Sequence, residues 1–499
     1  MATFDGSPPI LSLLVFVPLL AMALAWAVQS AHQAFLLGIT AALAELALSV
    51  WLLAMFRNDS AELQFVERIP LTSFLSYHLG VDGISILFVV LTALLTLMVL
   101  LYGEIVHESP AGLYVASVFA FQAVLMGLFL SVDLLEFWGV CLLEMIPASF
   151  ILRRWSFGKD KRRALLRYVR DMAGGLGLML AAILILGWRH MEASGVWSFA
   201  LVELSQTPLA ASQQDLVFVL FFYALAVRMA LFPFHAWLPV VAEQGPLATV
   251  CVFLVGLKVG VYALLRFVLP LTPAACHEWK SFVVGLAVTG IFYGALLALM
   301  QINLRRLLAF SAVSQTGMLA VGVFCLNREG LQGSLLLAID FGVAASALLF
   351  VTGVLHRCMH TTLLPRLGGL FDTMPLLGLT FLLAALSTMA MPGTPGFDAA
   401  HLMLEGAIET HNWGVAVAMA AGSVASAAFL LWAFQRAFLA RRRDAALRPE
   451  KIRLSLPEVV LVGTLCMVQL GVGFYTEPWL EIVDSSLARL AGKLEKPAK

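Results

Sequence analysis

The sequence predicts an all-α polytopic membrane protein of about 14 transmembrane helices. Three observations carry that reading. Of the 499 residues, 61% are hydrophobic and 12% charged, with a mean hydropathy of +0.93. A soluble domain carries roughly twice that charged fraction. Apolar runs of about 18 residues or more recur from end to end, the length a helix needs to cross a bilayer. No stretch shows the polar–apolar alternation of a membrane barrel strand.

The spans follow in order at approximately 9–28, 34–56, 80–102, 111–131, 134–152, 168–189, 213–233 and 245–268, then 281–301, 307–325, 332–355, 374–410, 413–439 and 457–475. The first, "ILSLLVFVPLLAMALAWAV", has no basic stretch before it and reads as a span, not a cleaved leader. The gaps between spans leave no room for a soluble domain. Basic residues cluster in "RRWSFGKDKRRALLRYVR" after span 5, "NLRR" after span 9, "HRCMHTTLLPR" after span 11 and "RRRDAALRPEKIR" after span 13. All follow odd spans, so that side is cytoplasmic by the positive-inside rule and both termini face the other side. The tail after the last span is too short for a long surface helix plus a further span.

Two spans are interrupted. "AVRMALFPFHAWLP" (226–239) breaks around Pro233, and "MPGTPGF" (391–397) breaks the twelfth span. The breaks are five spans apart, so helices 4–8 (111–270) and 9–13 (281–440) would run in opposite senses. Helices 1–3 (1–110) precede these two inverted five-helix repeats, and a last helix with its tail (441–499) follows. Paired broken helices in inverted halves point to a transport site at mid-membrane.

Ionisable residues sit where lipid should exclude them. Glu144 lies within "LLEFWGVCLLEMIPASFILRRW", Arg228 within the first broken span, and Lys258 within "VFLVGLKVGVYALLRF". Such groups mark ion paths or relays when they face a bundle interior; static helix pairing is the plainer reading. The net charge is zero and implies nothing about nucleic acid. The six cysteines form no C-x-x-C pair, which removes a disulfide framework or an iron–sulfur ligand set. No glycine-rich nucleotide loop occurs. His356, Cys358 and His360 in "HRCMH" have the i, i+4 histidine spacing of a zinc site but no neighbouring carboxylate, and read better as interfacial residues.

One set of motifs is more specific. "LGVDGIS" (79–85), "EMIP" (144–147), "AVRMALFPFHAWLP", "LKVGVYALLRF" (257–267), "LRRLLAFSAVSQTG" (304–317) and "MPGTPGF" occur in that order. In this the chain resembles the antiporter-like membrane subunits of respiratory complex I, most of all the chain M branch, over about residues 75–440. The resemblance implies that Glu144, Lys258 and the segment of His235, Trp237, Leu238 and Pro239 belong to a hydrated polar axis. Protons would cross the membrane along it, driven by quinone reduction in other subunits. It implies no cofactor in this chain, other membrane subunits as partners and an inner-membrane location, while the basic loop "KDKRR" reads the membrane orientation or docks a soluble cytoplasmic neighbour.

The sequence also departs from that family. Arg228 stands where a lysine is expected and Ala230 where a proline is. Gln315 and Phe341 replace histidines, with Asp340 beside the latter, and Ala400 replaces a glutamate. Guanidinium stays charged in proteins, so Arg228 can anchor Glu144 but is a poor proton carrier. Asp398, His401 and Glu405 form one helical stripe after the second break. The expectation is that His401 and Glu405 take over the distal titratable site, with Asp340 as partner. The alternative is that Glu405 and Glu409 simply sit near the outer membrane edge. Relatives of this family couple similar subunits to CO2 hydration with bicarbonate uptake, or form multisubunit sodium/proton antiporters. Both are competing functions at this stage.

Overall fold

The computed structural model describes residues 3–4, 9–72, 75–156, 158, 160–246, 256–440 and 454–495. The basic stretch at 441–453, Lys159 and the start of the eighth expected span lie outside the described residues. Each expected apolar stretch is mainly helical over its described part, apart from residues 80–85 and the breaks at 229–237 and 389–394. Among the described residues, eleven helices are long and apolar enough to cross a bilayer.

The N-terminal part comprises β1 (Thr3–Phe4), α1 (Ile10–Ala27), α2 (Ala31–Met55), β2 (Gln64–Pro70), β3 (Ser76–Val81) and α3 (Ile86–Ile105). Next come α4 (Ala111–Leu130), α5 (Leu134–Trp155), α6 (Lys161–Ser194), α7 (Leu201–Ser205), α8 (Ala211–Arg228) and α9 (Leu238–Gln244). The helix α10 (256–271) carries a π turn at Leu264–Val268. It is followed by α11 (Pro273–Leu299), α12 (Leu304–Val323) and α13 (Arg328–Met359). The last elements are α14 (Pro375–Thr388), α15 (Pro395–Thr410), α16 (Trp413–Phe434), α17 (Leu456–Phe474) and α18 (Glu477–Glu495).

Burial sorts these helices into centre and rim. The helices α3, α12 and α13 are apolar and buried on nearly all sides, while α1, α2 and α17 bury one stripe only. The outward faces carry Leu20, Leu24, Leu43, Trp51 and Met467, side chains suited to acyl chains. Small residues set the closest contacts. A Cβ on Gly317 would lie 2.6 Å from the Ala287 carbonyl oxygen, so α11 and α12 approach backbone to backbone. That approach fixes α12 at the centre of the bundle.

Helix starts have local causes. The Asp133 carboxylate accepts the Leu135 and Glu136 N–H groups at 2.9 and 3.1 Å. The Asn303, Asn327 and Asn412 amides do the same for α12, α13 and α16. Buried Glu67 reaches across from β2 and accepts the Leu11 N–H of α1 at 2.8 Å, a remote cap on a helix without a polar residue of its own there.

The three-stranded antiparallel sheet, in the order β1-β2-β3, was not expected from an all-helical reading. Its strands are short and lie between long apolar spans, so hydropathy passes over them. The sheet is tied to the bundle at one end: Val132 N–H donates to the His78 carbonyl (3.0 Å), and His78 N–H to Glu136 Oε2 (3.1 Å). The tail folds as α18, whose inward stripe includes Val483, Leu487, Leu490 and Leu494. Gly83 N–H donates to Ser486 Oγ at 3.1 Å, joining tail and hairpin.

Burial, reinforced by the Arg68 charge, pushes the His78 imidazole down from 6.5 to about 4. A histidine held neutral in this way contributes stability that is complete above pH 6.5 and is lost as pH falls from there towards 4. Thermal unfolding followed between pH 7 and about 4.5 should therefore show a steeper fall for the wild type than for His78→Gln.

Candidate functional site

The two interrupted helices close in the same way. After α8, Ala230 N–H donates to the Val227 carbonyl (3.2 Å) and Leu231 N–H to that of Ala226 (2.9 Å). After α14, Ala390 N–H donates to Ser387 (3.0 Å) and Met391 N–H to Leu386 (3.0 Å). Ala230 and Ala390 sit at φ 56° and 59°, the left-handed position where such endings usually place glycine. The chain then crosses Phe232–Pro233 into α9, or Pro392 and Gly393 into α15.

Carbonyls freed at a break inside a membrane need partners. Adjacent residues of α12 supply them at both breaks. Thr316 Oγ1 donates to the Met229 carbonyl at 3.1 Å, and Gln315 Nε2 to the Thr388 carbonyl at 3.0 Å. Gln315 Nε2 also lies 3.3 Å from Ser426 Oγ. Trp237 Nε1 returns from beyond the first break to the Val227 carbonyl at 2.9 Å. Arg305, at the start of α12, donates to the carbonyls of Glu243 and Gly245 at the end of α9 (3.1 and 3.3 Å).

The expected charges converge around these breaks. Arg228 ends α8 and forms an ion pair with Glu144 of α5, both almost fully buried. A Cβ on Gly256 would lie 3.2 Å from Glu144 Oε1, so the other carboxylate oxygen faces the helix of Lys258. Lys258 is 1% exposed, and its Nζ lies 4.3 Å from the centroid of the Phe341 ring. Among the described residues no carboxylate lies within 4 Å of it; Asp340, next to Phe341, acts on it at longer range. Asp340 is buried in the second break: Ser387 donates to its Oδ1 at 2.5 Å, and its Oδ2 faces Gly396. His235 is buried just past the first break, its ring 5.1 Å from that of Tyr293, with Nδ1 unpartnered. The run therefore reads Arg228–Glu144, Lys258, Asp340, with one interrupted helix at each end.

These features match a known family. The family model described as "NADH:quinone oxidoreductase/Mrp antiporter, TM" matches residues 131–426, more than half of the chain. The chain belongs to this family. It is 31% identical to NADH-ubiquinone oxidoreductase chain 4 of Marchantia polymorpha, with 96% of each chain covered. It is 32% identical to NADH-quinone oxidoreductase subunit M of Escherichia coli K12, over 83% of this chain and 82% of that one. A chain of respiratory complex I from Thermus thermophilus with bound NADH superposes with a TM-score of 0.87 at 28% identity, covering 97% of this chain and all of the other. A chain of the Mrp complex from Dietzia sp. DQ12-45-1b shares the fold, with a TM-score of 0.86 at 21% identity, over 97% of each chain. The family thus includes subunits of multisubunit membrane assemblies, and this chain is a divergent subunit M-like member.

Other residues singled out in the sequence lie apart from this run. His401 and Glu405 are exposed on the outer face of α15, while Ala399, Ala400, Met403 and Ala407 face inward. The stripe therefore turns away from Asp340, and Asp398 instead accepts from Thr476 at 2.5 Å. Asp340 pairs with Ser387 of α14. In "HRCMH", Arg357 pairs with Glu458 of α17. Among the described residues no three His, Cys, Asp or Glu side chains gather as a metal site.

The sequence reading missed a second buried ion pair. Arg266 in the π turn of α10 donates from both terminal nitrogens to Asp82, at 2.6 Å each, and from Nε to Tyr262 at 3.2 Å. Both residues stand in quoted motifs, "LGVDGIS" and "LKVGVYALLRF", so the signal was present without its pairing. The pair anchors the Lys258 helix to the turn that starts α3. Thr316→Val would leave the Met229 carbonyl unpaired at bilayer depth and cost about 1–3 kcal/mol. Thr316→Ser keeps the donor. Thermal unfolding of the purified protein in detergent should show a lower midpoint for the valine variant and a wild-type midpoint for serine.

Proposed function

We propose that the chain moves protons across the membrane as an antiporter-like subunit of a complex I-type assembly. The observation that carries this reading is the buried run from Arg228–Glu144 through Lys258 to Asp340, placed between two interrupted helices. The matching closures at Ala230 and Ala390 support two inverted halves, 111–270 and 281–440, each contributing one break. Redox chemistry and its cofactors would reside in partner subunits, as the names of the relatives suggest. The basic loops support a cytoplasmic side that a soluble partner could meet, with both termini opposite.

The residues divide into fixed and switchable groups. Arg228 keeps its charge and pins one oxygen of Glu144, leaving the other turned to the Lys258 helix. Lys258 has no close carboxylate to hold its proton and rests against the Phe341 ring, a contact worth about 1–2 kcal/mol when desolvated. A proton leaving Lys258 towards the distal half meets Asp340, whose Oδ2 is free of a side-chain donor. Asp340 competes with Lys258 for that proton. Shifting water or charge at either break would therefore move the proton along the run. His235 offers a further exchange point beyond the first break.

Removing Glu144 alone would strand Arg228, at a cost of about 3–5 kcal/mol. The informative variant removes both charges. Glu144→Gln with Arg228→Gln should assemble into the membrane complex and lose proton translocation in sealed vesicles. Arg228→Lys should retain it, because the pinning charge survives. Wild-type translocation by the double variant contradicts the proposed function.

A further inference from the structure

A second carboxyl lies buried at mid-span, away from the run just described. Glu45 belongs to α2, whose inward stripe is Ala34, Phe35, Gly38, Ala42, Glu45, Ser49 and Leu52. Its side chain is fully enclosed, and among the described residues neither carboxyl oxygen has a hydrogen-bond partner. Gln122 of α4 is enclosed to the same degree, and among the described residues neither its amide oxygen nor its nitrogen has a hydrogen-bond partner.

Helix register brings the two to one level. The rings of Phe35 and Tyr114 lie 6.3 Å apart, and a Cβ on Gly38 would meet Val115 Cγ1 at 2.9 Å and Leu100 Cδ1 at 3.6 Å. Thus α2 and α4 run in parallel with α3 antiparallel between them. Two turns beyond Gly38 and Val115, on the same faces, come Glu45 and Gln122. One and two turns back from Leu100 along α3 come Thr96 and Thr92, both buried. Their hydroxyls donate to the Thr92 and Phe88 carbonyls at 2.8 and 2.7 Å, which leaves oxygen lone pairs for other donors. Four polar side chains from three helices thus lie at about one level of an otherwise apolar bundle.

We propose that Glu45, with Gln122, Thr92 and Thr96 around it, is a second proton-binding site that takes up and releases a proton during turnover. The contrast with Glu144 carries the point. Glu144 has a permanent cation beside it, so its charge is fixed. Glu45 has none among the described residues, and an enclosed carboxylate without a counter-ion is neutralised by a proton. The exchange is the simple equilibrium of carboxylate and proton with carboxylic acid, and needs no other reactant. Water is the carrier, and the hydroxyl of Ser49, one turn further along the same stripe, is the next polar step towards the hairpin end of α2. Such a site would load protons through the N-terminal helices.

The test uses the whole complex in sealed vesicles. Glu45→Gln should assemble, lower the protons moved per turnover severalfold, and be rescued by Glu45→Asp. Dicyclohexylcarbodiimide, an apolar reagent for protonated membrane carboxyls, should form an adduct at Glu45 in the wild type, at a rate that changes when turnover is driven. Wild-type translocation by Glu45→Gln overturns the proposal. Should that variant fail to assemble, the same labelling rate at rest and in turnover overturns it. Either result leaves the Glu144–Lys258–Asp340 run standing, since that run is tested by its own variants.

Discussion

The structure depends on one constraint: a helix that breaks within the bilayer must hand its freed carbonyls to other donors. Hydrocarbon offers none, and each unmet group costs several kcal/mol. Two neighbouring residues of α12, Gln315 and Thr316, meet this requirement at both breaks. They can do so because α11 and α12 touch through glycines and α12 runs through the middle of the bundle. The glutamine that replaces the family's histidine is thus no lost proton carrier in a vacant spot. It is a structural donor to the Thr388 carbonyl, and Asp340 lies buried at the same break, bonded to Ser387.

The breaks also decide where charge can reside. Arg228 ends α8, so its guanidinium emerges where the helix stops, against the Glu144 carboxylate. Asp340 faces the gap between Ser387 and Gly396 in the same sense. A lysine in place of Arg228 would let that end of the run titrate. With arginine that end keeps a fixed charge, and under the proposed function the switching falls to the other groups of the run. The bidentate Arg266–Asp82 pair holds the Lys258 helix at its other end, which keeps the ammonium over Phe341 and not free to seek a permanent partner.

Much of this was legible in the sequence. Hydropathy found the spans, and Pro233 and "MPGTPGF" found the breaks, because both signals are local. Glu144, Arg228 and Lys258 were visible as charges inside apolar runs. The facing of a helix was not. Asp398, His401 and Glu405 share a stripe by arithmetic, but the arithmetic does not say that Ala399, Ala400 and Met403 take the inward side. Glu45 escaped notice for a related reason: one carboxyl in a rim helix reads as tolerable until its neighbours are known. The short strands were hidden between spans much longer than themselves, and the Asp82–Arg266 pair spans a separation that no local pattern reports.

The account stands or falls on whether Lys258 carries protons through the buried run. The direct measurement is proton translocation per electron pair by the assembled complex in sealed vesicles, with Lys258 replaced by methionine. Methionine keeps the length and packing against Phe341 and removes the titrating amine. Assembly with translocation lost by this subunit is the predicted result. A methionine variant that translocates as the wild type does would contradict it.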